Sequence, residues 1–477
     1  MTAPSSIPAE LWATFPPAAQ AIIVSLLERN AALEARVAQL EAEVADLKAR
    51  LNRNSSNSSL PPSRNPLHLK PAPPKPKSGK RRGGQAGHPK NERTLLPPEE
   101  VLHFKPAVCR ECRHPLAGDD PDPLVHQVHE LPEIQPNVTE YRQHRLTCAK
   151  CGTSTCGALP PGVQSGYGPR AEAVVAYFGG VLRAGKRATS TAMLDLFGLP
   201  ISPAAVCDRQ AATAATLEPI AAEALDYARA QPAANVDETS WDRAEPKSWM
   251  WTLVTPLVTV FLIRPKRNRE AFDDLVGTNP SQVFTTDRFR VYEHLPAAKR
   301  QICWAHLRRD FQAMIDRQNA GSELGEDLLL HADILFEHWP KVRDGTLERG
   351  EFGQHYLPEL RAEVRTLLEA GRANACPKTA ATCREILAVE TSLWTFASTP
   401  GVEPTNNAAE RAIRHAVCWR KTSYGSQSDA GRRFVERILT AVATCRQQSR
   451  RVLAFLTATL QAARLGEPQP SLLLVGV

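Results

Sequence analysis

Hydrophobic residues recur at every seventh position near the start of the chain, between Ile22 and Leu51. With leucine at position d of a heptad, position a holds branched aliphatic residues and one polar residue. The d positions are Leu26, Leu33, Leu40 and Leu47, and the a positions are Ile23, Asn30, Val37, Val44 and Leu51. This pattern is typical of a parallel two-stranded coiled coil, in which the single asparagine fixes the register. At 1.5 Å per residue the predicted helix is about 44 Å long.

The charges beside this seam favour the same register. In a parallel dimer, residues at position g of one helix face residues at position e of the other. The three pairs all join opposite charges: Arg29 with Glu34, Arg36 with Glu41, and Glu43 with Lys48. We therefore predict a homodimer formed through residues 22–51. The alternative is one amphipathic helix packed on its own chain.

A proline- and lysine-rich stretch follows, over residues 54–98. It holds few residues that can be buried, so it is predicted to be a disordered or polyproline-like linker. Between Arg64 and Arg93 there are nine Lys or Arg residues against one acid, Glu92. The cluster Lys80, Arg81 and Arg82 at its centre is interpreted either as part of a solvated linker or as a tether to the DNA backbone.

Two C-x-x-C pairs come next, and the four cysteines are Cys109, Cys112, Cys148 and Cys151. Brought together, they supply the four thiolates of a closed tetrahedral Zn²⁺ site. Two disulfides fit poorly in a chain without an export signal. Four nearby residues keep the identity of the fourth zinc ligand open: Cys156, His114, His126 and His129. The residues between the pairs include strand-like stretches such as Val138–Tyr141.

Residues 168–230 are rich in Ala and Leu and are predicted to be helical. Within them, Thr189–Phe197, a Gly198-Leu199-Pro200 turn, and a helix from Ser202 to about Ala215 have the length and punctuation of a helix-turn-helix. Ser202 is the expected N-cap. A plain helical hairpin explains the same pattern, so DNA binding by this unit is one of two interpretations.

The periodicity changes beyond Pro232. Extended runs are predicted at 235–239, 249–255, 258–263 and 282–286, a helix at 269–275, and a further strand and helix within 300–315. Three antiparallel strands, a helix and a strand ending in an acid is the order of a ribonuclease H-like core. Asp237 and Asp287 lie near the ends of two of these runs, and Glu410 lies on a predicted helix. Such carboxylates can hold two Mg²⁺ ions about 3.5–4 Å apart on a phosphodiester.

Composition sets broad limits on the protein. At 477 residues the chain is expected to form several domains, and its net charge of +7 leans towards a polyanionic partner. No apolar stretch is long enough to cross a membrane, and the first residues do not resemble a signal peptide. Together with the two C-x-x-C pairs, these features predict a cytoplasmic, nucleoid-associated protein.

Four segments resemble a known family, the DDE transposases of insertion sequence family sixty-six, TnpC type. They are Val236–Thr239, Thr286–Tyr292, Cys303–Phe311 and Pro404–Ala412. The N-terminal zipper, the Asn54–Ser63 segment and the double C-x-x-C are also similar to that family. The resemblance implies that Asp237, Asp287 and Glu410 are the catalytic triad and bind two Mg²⁺ or Mn²⁺ ions. It also implies DNA partners, namely transposon ends and target, and accessory proteins encoded by the same element.

Basic and polar residues near the triad are predicted to contact DNA: His306, Arg308, Arg309, Asn407, Arg411, Arg414, Arg420 and Lys421. The first three lie in the C-x-x-H segment that starts at Cys303. Asn407 and Arg411 lie just before a basic C-terminal region, Ala412–Arg451, which contains the other three. Tyr424-Gly425-Ser426 interrupts this region, so two helices joined by a basic loop are expected. The C-x-x-H pair itself fits support of the active site or a buried structural role equally well.

The expected architecture is a multidomain α+β protein. Its segments are an N-terminal coiled-coil segment (1–53), a basic linker (54–98), a zinc-binding module (99–165), a helical and candidate DNA-binding region (166–231), the first part of a ribonuclease H-like core (232–318), an α-helical insertion (319–400), C-terminal core helices carrying Glu410 (401–465) and a tail (466–477).

Other interpretations remain for the triad and for the protein. Asn407 as an N-cap with Glu410 at the third helical position would form a variant of the capping box. Glu238 and Asp242 compete with Asp237, although strand alternation turns Glu238 to the opposite face. The predicted function is Mg²⁺-dependent cleavage of transposon ends followed by strand transfer. The alternative is a non-catalytic zipper- and zinc-containing DNA-binding regulator, or a decayed transposase.

Overall fold

The computed structural model describes residues 4, 7–51, 93–163, 165–242, 247–423 and 425–473. The basic cluster Lys80–Arg82 therefore lies outside the described residues. Among the helices that are described, none is long and apolar enough to cross a lipid bilayer. The described elements form a mixed α+β architecture, as the sequence predicted.

The N-terminal region is helical. A short helix α1 (Ala9–Trp12) precedes a long helix α2 (Pro17–Leu51). Helix α2 begins five residues before the predicted start, with a proline at its first position, where its fixed φ suits a helix and its missing N–H costs nothing. The seam residues from Leu26 to Leu47 are 43–59% exposed. The apolar stripe of α2 is thus not covered by any of the described residues of the chain.

The cysteine-containing region, residues 93–163, is mostly extended and exposed. Its regular structure is a small antiparallel hairpin of β1 (Arg145–Thr147) and β2 (Ser154–Cys156). The strand predicted at Val138–Tyr141 is wrong: this stretch has no strand structure. Val138 is 85% exposed, so the stretch has neither the cross-strand partner nor the burial that stabilises an extended segment.

Four helices follow: α3 (Pro169–Gly180), α4 (Lys186–Phe197), α5 (Pro203–Thr216) and α6 (Glu218–Ala230). The predicted turn between α4 and α5 is confirmed. Gly198 takes a left-handed conformation (φ 58°) at the end of α4, and the Ser202 side chain accepts a hydrogen bond from Ala205 N at the start of α5. Helix α4 begins three residues earlier than expected.

A five-stranded sheet lies at the centre of the protein. Its strands are β3 (Ala233–Ser240), β4 (Trp249–Val254), β5 (Thr259–Arg264), β6 (Val283–Thr286) and β7 (Arg300–Ile302), with helix α7 (Arg269–Val276) between β5 and β6. The order across the sheet is β5-β4-β3-β6-β7. β3, β4 and β5 are antiparallel neighbours, whereas β6 and β7 run parallel to β3. These elements match the predicted ones within about two residues.

Helices between β7 and residue 400 form a second unit. They are α8 (Trp304–Ile315), α9 (Ser322–Arg343), α10 (Arg349–Glu351), α11 (Leu357–Gly371), α12 (Pro377–Ala388) and α13 (Thr395–Ser398). A π-helical turn, Phe352–Tyr356, joins α10 to α11. Their apolar faces build a core of their own around Trp304, Trp339 and Phe396. The predicted helical insertion is thus a packed body of helices.

The chain returns to the sheet through α14 (Asn407–Ser423), α15 (Asp429–Gln447) and α16 (Val452–Leu465). The predicted break between two basic helices is confirmed, because α14 ends at Ser423 and α15 starts at Asp429. Apolar residues of α3, α5, α6, α15 and α16 share one core with the sheet. The helical region before the sheet and the helices after the insertion therefore pack as one body.

Both edges of the sheet are covered by side chains and loops. At the β5 edge, the backbone N–H groups of Thr259 and Phe261 donate to the hydroxyls of Thr444 and Thr440 on α15, each at 3.1 Å. At the β7 edge, the Thr395 hydroxyl on α13 donates to the carbonyl oxygen of Arg300 at 2.8 Å. Exposed strand edges are a route to aggregation, and here helices satisfy their hydrogen-bonding groups.

Candidate active site

The register of the parallel strands brings the two predicted aspartates to the same level. Asn235 of β3 pairs with Thr285 of β6, so Asp237 and Asp287, each two residues further on, lie opposite each other. Neighbouring strands are about 4.8 Å apart. On the other side, Thr286 pairs with Ile302 of β7, which brings Cys303 level with Asp287. Asp237, within β3, therefore lies in one row with Asp287 and Cys303, which directly follow the ends of β6 and β7.

Asp237 lies on the partly exposed face of β3. Its Oδ1 accepts a hydrogen bond from the backbone N–H of Glu238 at 2.9 Å. The pKa of Asp237 is raised well above its usual value, first by loss of water contact and then by the negative charges of Glu238, Asp287 and Glu410. The site thus concentrates negative charge that a bound cation would neutralise.

Asp287 is fixed by the turn that follows β6. Its Oδ1 accepts from the backbone N–H of Phe289 at 2.9 Å. Its carbonyl oxygen accepts from the guanidinium of Arg300, also at 2.9 Å, and this arginine is only 3% exposed. These contacts leave the other carboxylate oxygen, Oδ2, directed by a rigid turn.

Glu410 is carried by the first turns of α14, and Asn406 sets the position of that helix. The Asn406 amide donates to the carbonyl oxygen of Val236 at 2.7 Å and accepts from the Asn235 amide at 3.0 Å. Its backbone N–H donates to Cys303 Sγ at 3.1 Å. A side chain that is 1% exposed thus ties α14 to both β3 and the end of β7.

The capping interpretation of Glu410 does not describe its contacts. Asn407 is the first residue of α14, so it is not the N-cap, and Glu410 falls in the fourth helical position. In the described part of the chain, the Glu410 carboxylate pairs with Arg309 at 2.9 Å and lies 3.4 Å from His306 Nδ1. The rival role as a capping box is therefore not supported.

The three predicted catalytic carboxylates are neighbours but not a closed cluster. In the described residues, one group of three potential metal ligands has all its ligand atoms within 4.8 Å of one another, and it consists of Cys303, His306 and Glu410. Glu410 therefore groups with Cys303 and His306 at this distance, and not with Asp237 and Asp287.

The two rivals of Asp237 are occupied by protein partners. Glu238 is buried, accepts from Arg267 Nε at 2.9 Å and also from the Tyr292 hydroxyl. Burial is the main cause that raises its pKa. Asp242 accepts from the backbone N–H of Ser426 at 2.8 Å. Strand alternation thus gives the orientation expected for Asp237 and Glu238.

Sequence reasoning missed several residues around the site. Asn406 adjoins the predicted contact Asn407, and only the fold reveals its buried role. Arg267 donates to the Glu238 carboxylate, and its guanidinium carbon lies 3.5 Å from the centroid of the Phe289 ring. Alternation on β3 was the one sequence signal that pointed to Glu238 as buried, and a buried glutamate requires a cationic or hydroxyl partner.

The predicted DNA contacts fall into two groups. Asn407, Arg411 and Arg414 are exposed on one side of α14, beside Glu410. The others make contacts within the protein. Arg308 pairs with Asp333, Arg309 and His306 approach Glu410, and Arg420 donates to Thr239 Oγ1 at 3.0 Å. Lys421 also has a partner in the protein.

The two C-x-x-C loops have the same backbone form. In the first, Cys109 N donates to His114 O and Arg113 N donates to Cys109 O; in the second, Cys148 N donates to Thr153 O and Gly152 N to Cys148 O. Arg113 and Gly152, at equivalent positions, both have positive φ (63° and 71°). The four thiols do not form a group of three or more ligands within 4.8 Å in the described chain.

Comparison with known proteins identifies the class. The model of the IS66 transposase family matches residues 187–433, just over half of the chain, and spans Asp237, Asp287 and Glu410. The chain therefore belongs to the IS66 transposase family. A second family model, for a family of unknown function (DUF6444), matches residues 9–94, which include α2.

A more distant relative adds little about function. The uncharacterized protein y4qI of Sinorhizobium fredii is 26% identical over 260 residues. The match covers 49% of this chain and 48% of that protein, so the chain spans about half the length of the curated relative it matches.

The raised pKa of Asp237 predicts a pH-dependent effect on stability. Because the folded protein binds this proton more tightly than the unfolded chain, the group contributes to the free energy of unfolding at low pH. That contribution is lost as pH rises through the folded pKa. In chelator-treated protein, we expect Asp237→Asn to raise the unfolding temperature above that of the wild type at alkaline pH, and the difference to vanish in acid. Thermal unfolding followed by circular dichroism across pH measures it.

Asp226→Asn serves as the control, because Asp226 has a side chain that is 78% exposed on α6. This change should leave the unfolding temperature nearly the same at every pH. If the unfolding temperatures of both variants changed equally with pH, the effect could not be assigned to burial and repulsion at Asp237.

Proposed function

We propose that this protein is a metal-dependent DNA transposase that cleaves the ends of a mobile element and joins them to target DNA. The observation that carries the proposal is the level position of Asp237 and Asp287 on adjacent parallel strands, inside the part of the chain that matches the IS66 transposase family. Glu410 approaches the same place from α14.

The sheet supports a ribonuclease H-like catalytic core. Three antiparallel strands are followed by two strands parallel to the first, with the first strand at the centre of the order β5-β4-β3-β6-β7. In such a sheet the ends of β3 and β6 meet at one edge, where loops and helices can bring further residues. The body of helices between β7 and α14 is then an insertion into this core.

The donor set suits two Mg²⁺ or Mn²⁺ ions. Carboxylate oxygens are the ligands that these hard cations prefer. Burial and then repulsion from neighbouring carboxylates raise the pKa of Asp237, and positive charge would relieve the repulsion. Asp237, Asp287 and Glu410 would hold the ions. Bound ions would supply activation of the attacking oxygen and stabilisation of the leaving oxygen.

The protein itself would position the DNA and the carboxylates. Asn406 and the turn after β6 hold Glu410 and Asp287 in place. Arg411 and Arg414 are exposed on the side of α14 that carries Glu410, where they would neutralise phosphates and make binding depend on salt. Arg309 would release Glu410 as cations enter, because both compete for the same carboxylate.

A catalytic test follows from the triad. Outer-shell substitutions near a metal lower affinity or activity about 10–100-fold, so removal of a direct ligand by Asp287→Asn or Glu410→Gln should lower strand cleavage by more than about 100-fold. The substrate is a DNA duplex that carries the sequences flanking the gene, with Mg²⁺ or Mn²⁺ added. Asp226→Asn, an exposed aspartate change, should cut at the wild-type rate.

Filter binding of the same duplex distinguishes the alternatives. If wild type and Asp287→Asn cut equally, the assignment of the triad is wrong. If neither cuts while both bind, the protein is a DNA-binding regulator or a decayed transposase.

We also propose that α2 pairs with α2 of a second copy. Its leucine seam is uncovered in the single chain, and Val37, Leu40 and Val44 line a shallow groove along it together with Glu41 and Lys48. The heptad register brings Arg36 opposite Glu41 across a parallel dimer. Such a dimer would hold two transposon ends in one complex.

The dimer is tested by breaking the seam. We expect the double change Leu33→Lys and Leu40→Lys to halve the mass measured by light scattering, because like charges at d positions repel. Leu330→Lys is the matched control, since Leu330 is 58% exposed on α9 and lies outside the seam. An unchanged mass for the seam variant would exclude dimerisation through α2.

The paired C-x-x-C loops support a structural zinc site. Two loops of identical hydrogen-bonding pattern, each presenting two thiols, are the form that tetrahedral thiolate coordination requires from its two halves. Cys109, Cys112, Cys148 and Cys151 would be the ligands once the two halves close on the ion. Binding would then contribute to the folding of a region with little buried surface.

Zinc content measures this proposal. Cys109→Ser and Cys148→Ser should each contain one zinc equivalent less than the wild type by atomic emission. Cys207→Ser, a change of an exposed cysteine on α5, should keep the full content. Equal zinc in all four proteins would rule out the thiolate site.

A further inference from the structure

Three side chains of different chemistry meet beside the carboxylates. Cys303 precedes α8, His306 lies in the first turn of α8, and Glu410 lies on α14. One ligand atom of each lies within 4.8 Å of the others. A thiol, an imidazole and a carboxylate are ligands that Zn²⁺ accepts together.

We propose that Cys303, His306 and Glu410 form a binding site for one divalent transition-metal ion of the zinc class. Three protein ligands leave the fourth tetrahedral position for water, as in zinc sites that stay open. This site is separate from the thiolate site in residues 109–151, and it does not depend on transposase activity.

The observed distances are close to those of a zinc complex. Bond lengths near 2.0–2.3 Å in a tetrahedron give about 3.3 Å between nitrogen and oxygen ligands and about 3.6 Å from either to sulfur. His306 Nδ1 lies 3.4 Å from Glu410 Oε1. The sulfur lies within 4.8 Å of both partners, so it is at most about 1.2 Å further away than the complex requires.

The imidazole is prepared to coordinate. His306 Nδ1 is buried and makes no hydrogen bond within the described structure, although it lies near Glu410. A buried imidazole nitrogen without a hydrogen bond is costly, and coordination of a metal by its lone pair would satisfy it.

The sulfur is held by the backbone in a fixed position. Cys303 Sγ accepts a hydrogen bond from Asn406 N at 3.1 Å, and the first turn of α8 is closed by the bond from His306 N to Cys303 O at 3.1 Å. Such outer-shell hydrogen bonds orient ligands in metal sites. On binding, the S–H bond breaks, the sulfur bonds the metal, and the proton leaves to solvent.

Arg309 is the group that opposes a cation here. Its guanidinium pairs with Glu410 at 2.9 Å, and it must turn aside when a metal binds. Its side chain is 26% exposed and long enough to reach solvent. In the metal-free chain, Arg309 thus supplies the positive charge that Glu410 requires.

Shared use of Glu410 has a functional consequence that rests on the proposed function. An ion held by Cys303 and His306 would draw Glu410 away from Asp237 and Asp287. Zinc and the proposed magnesium centre would then compete for one carboxylate, and the identity of the available metal would control the state of the site.

The experiment is a Co²⁺ titration of the full-length protein after removal of metals with a chelator. Thiolate bound to Co²⁺ gives a near-ultraviolet charge-transfer absorption. We expect the wild type to bind one more equivalent of Co²⁺ than Cys303→Ser, with a stronger absorption. Because both proteins keep the four cysteines of residues 109–151, their signal cancels in the difference.

Two further variants guard against a loss of structure. His306→Ala, which spares the thiol, should weaken Co²⁺ binding at least as much as the roughly 10–100-fold typical of outer-shell changes. His306→Cys should restore binding with added sulfur absorption.

Controls lie elsewhere in the chain. Cys383→Ser changes another buried thiol, and His331→Ala breaks a histidine–glutamate pair at 2.8 Å that has no cysteine. Both should bind Co²⁺ like the wild type.

Equal Co²⁺ stoichiometry and absorption in wild type, Cys303→Ser and His306→Ala would overturn the proposal and leave the thiol a structural role only. This readout involves no DNA, so its failure is distinct from failure of strand cleavage.

Discussion

The side chain of Asn406 is the contact on which the candidate site depends. The amide of this side chain donates to the backbone of β3 at Val236, next to Asp237. The backbone N–H of the same residue donates to the sulfur of Cys303, which follows β7. More than a hundred residues of helical insertion lie between β7 and α14, so nothing local in the chain fixes where α14 returns. A buried amide with its hydrogen bonds satisfied on both sides gives this long excursion one defined end point, since a shift would leave several buried polar groups unpaired.

Contacts between the helical insertion and β7 also help to fix where α14 returns to the sheet. The backbone N–H of Trp304 donates to Pro404 O at 2.9 Å, and Gln301 binds both Leu393 and Phe396. The helices thus begin and end against β7, and they pack on a core of their own around Trp339 and Phe396. The insertion is therefore tied to the sheet at both of its ends, next to the place where α14 delivers Glu410.

The sequence predicted the fold best where periodicity was strong. The five strands and α7 were located within about two residues, because runs such as Trp249–Val254 are apolar and bounded by Pro or Gly. The leading exception is Val138–Tyr141, whose β-rich composition has no partner strand. Local propensity alone does not supply cross-strand contacts.

The candidate site was predictable only in part. Asp237 and Asp287 could be found because each follows an extended run in the sequence, although β3 continues to Ser240 beyond Asp237. Parallel pairing of β3 with β6 makes the two aspartates level. The environment of Glu410 could not, since its partners Arg309 and His306 are about a hundred residues away in sequence. Neither could the network of Glu238, Arg267 and Tyr292, because alternation predicts that a side chain is buried but not which cation meets it.

The distribution of charge explains why the carboxylates coexist before any ligand binds. Glu238 is compensated by Arg267, Asp287 is held by a turn that Arg300 supports, and Glu410 is compensated by Arg309. Within the described residues, Asp237 accepts a hydrogen bond from the backbone N–H of Glu238. Burial, and then the charges of Glu238, Asp287 and Glu410, raise its pKa. Under the proposed function, a cation that binds Glu410 would compete with Arg309 for this carboxylate, so metal binding and movement of the arginine would be linked.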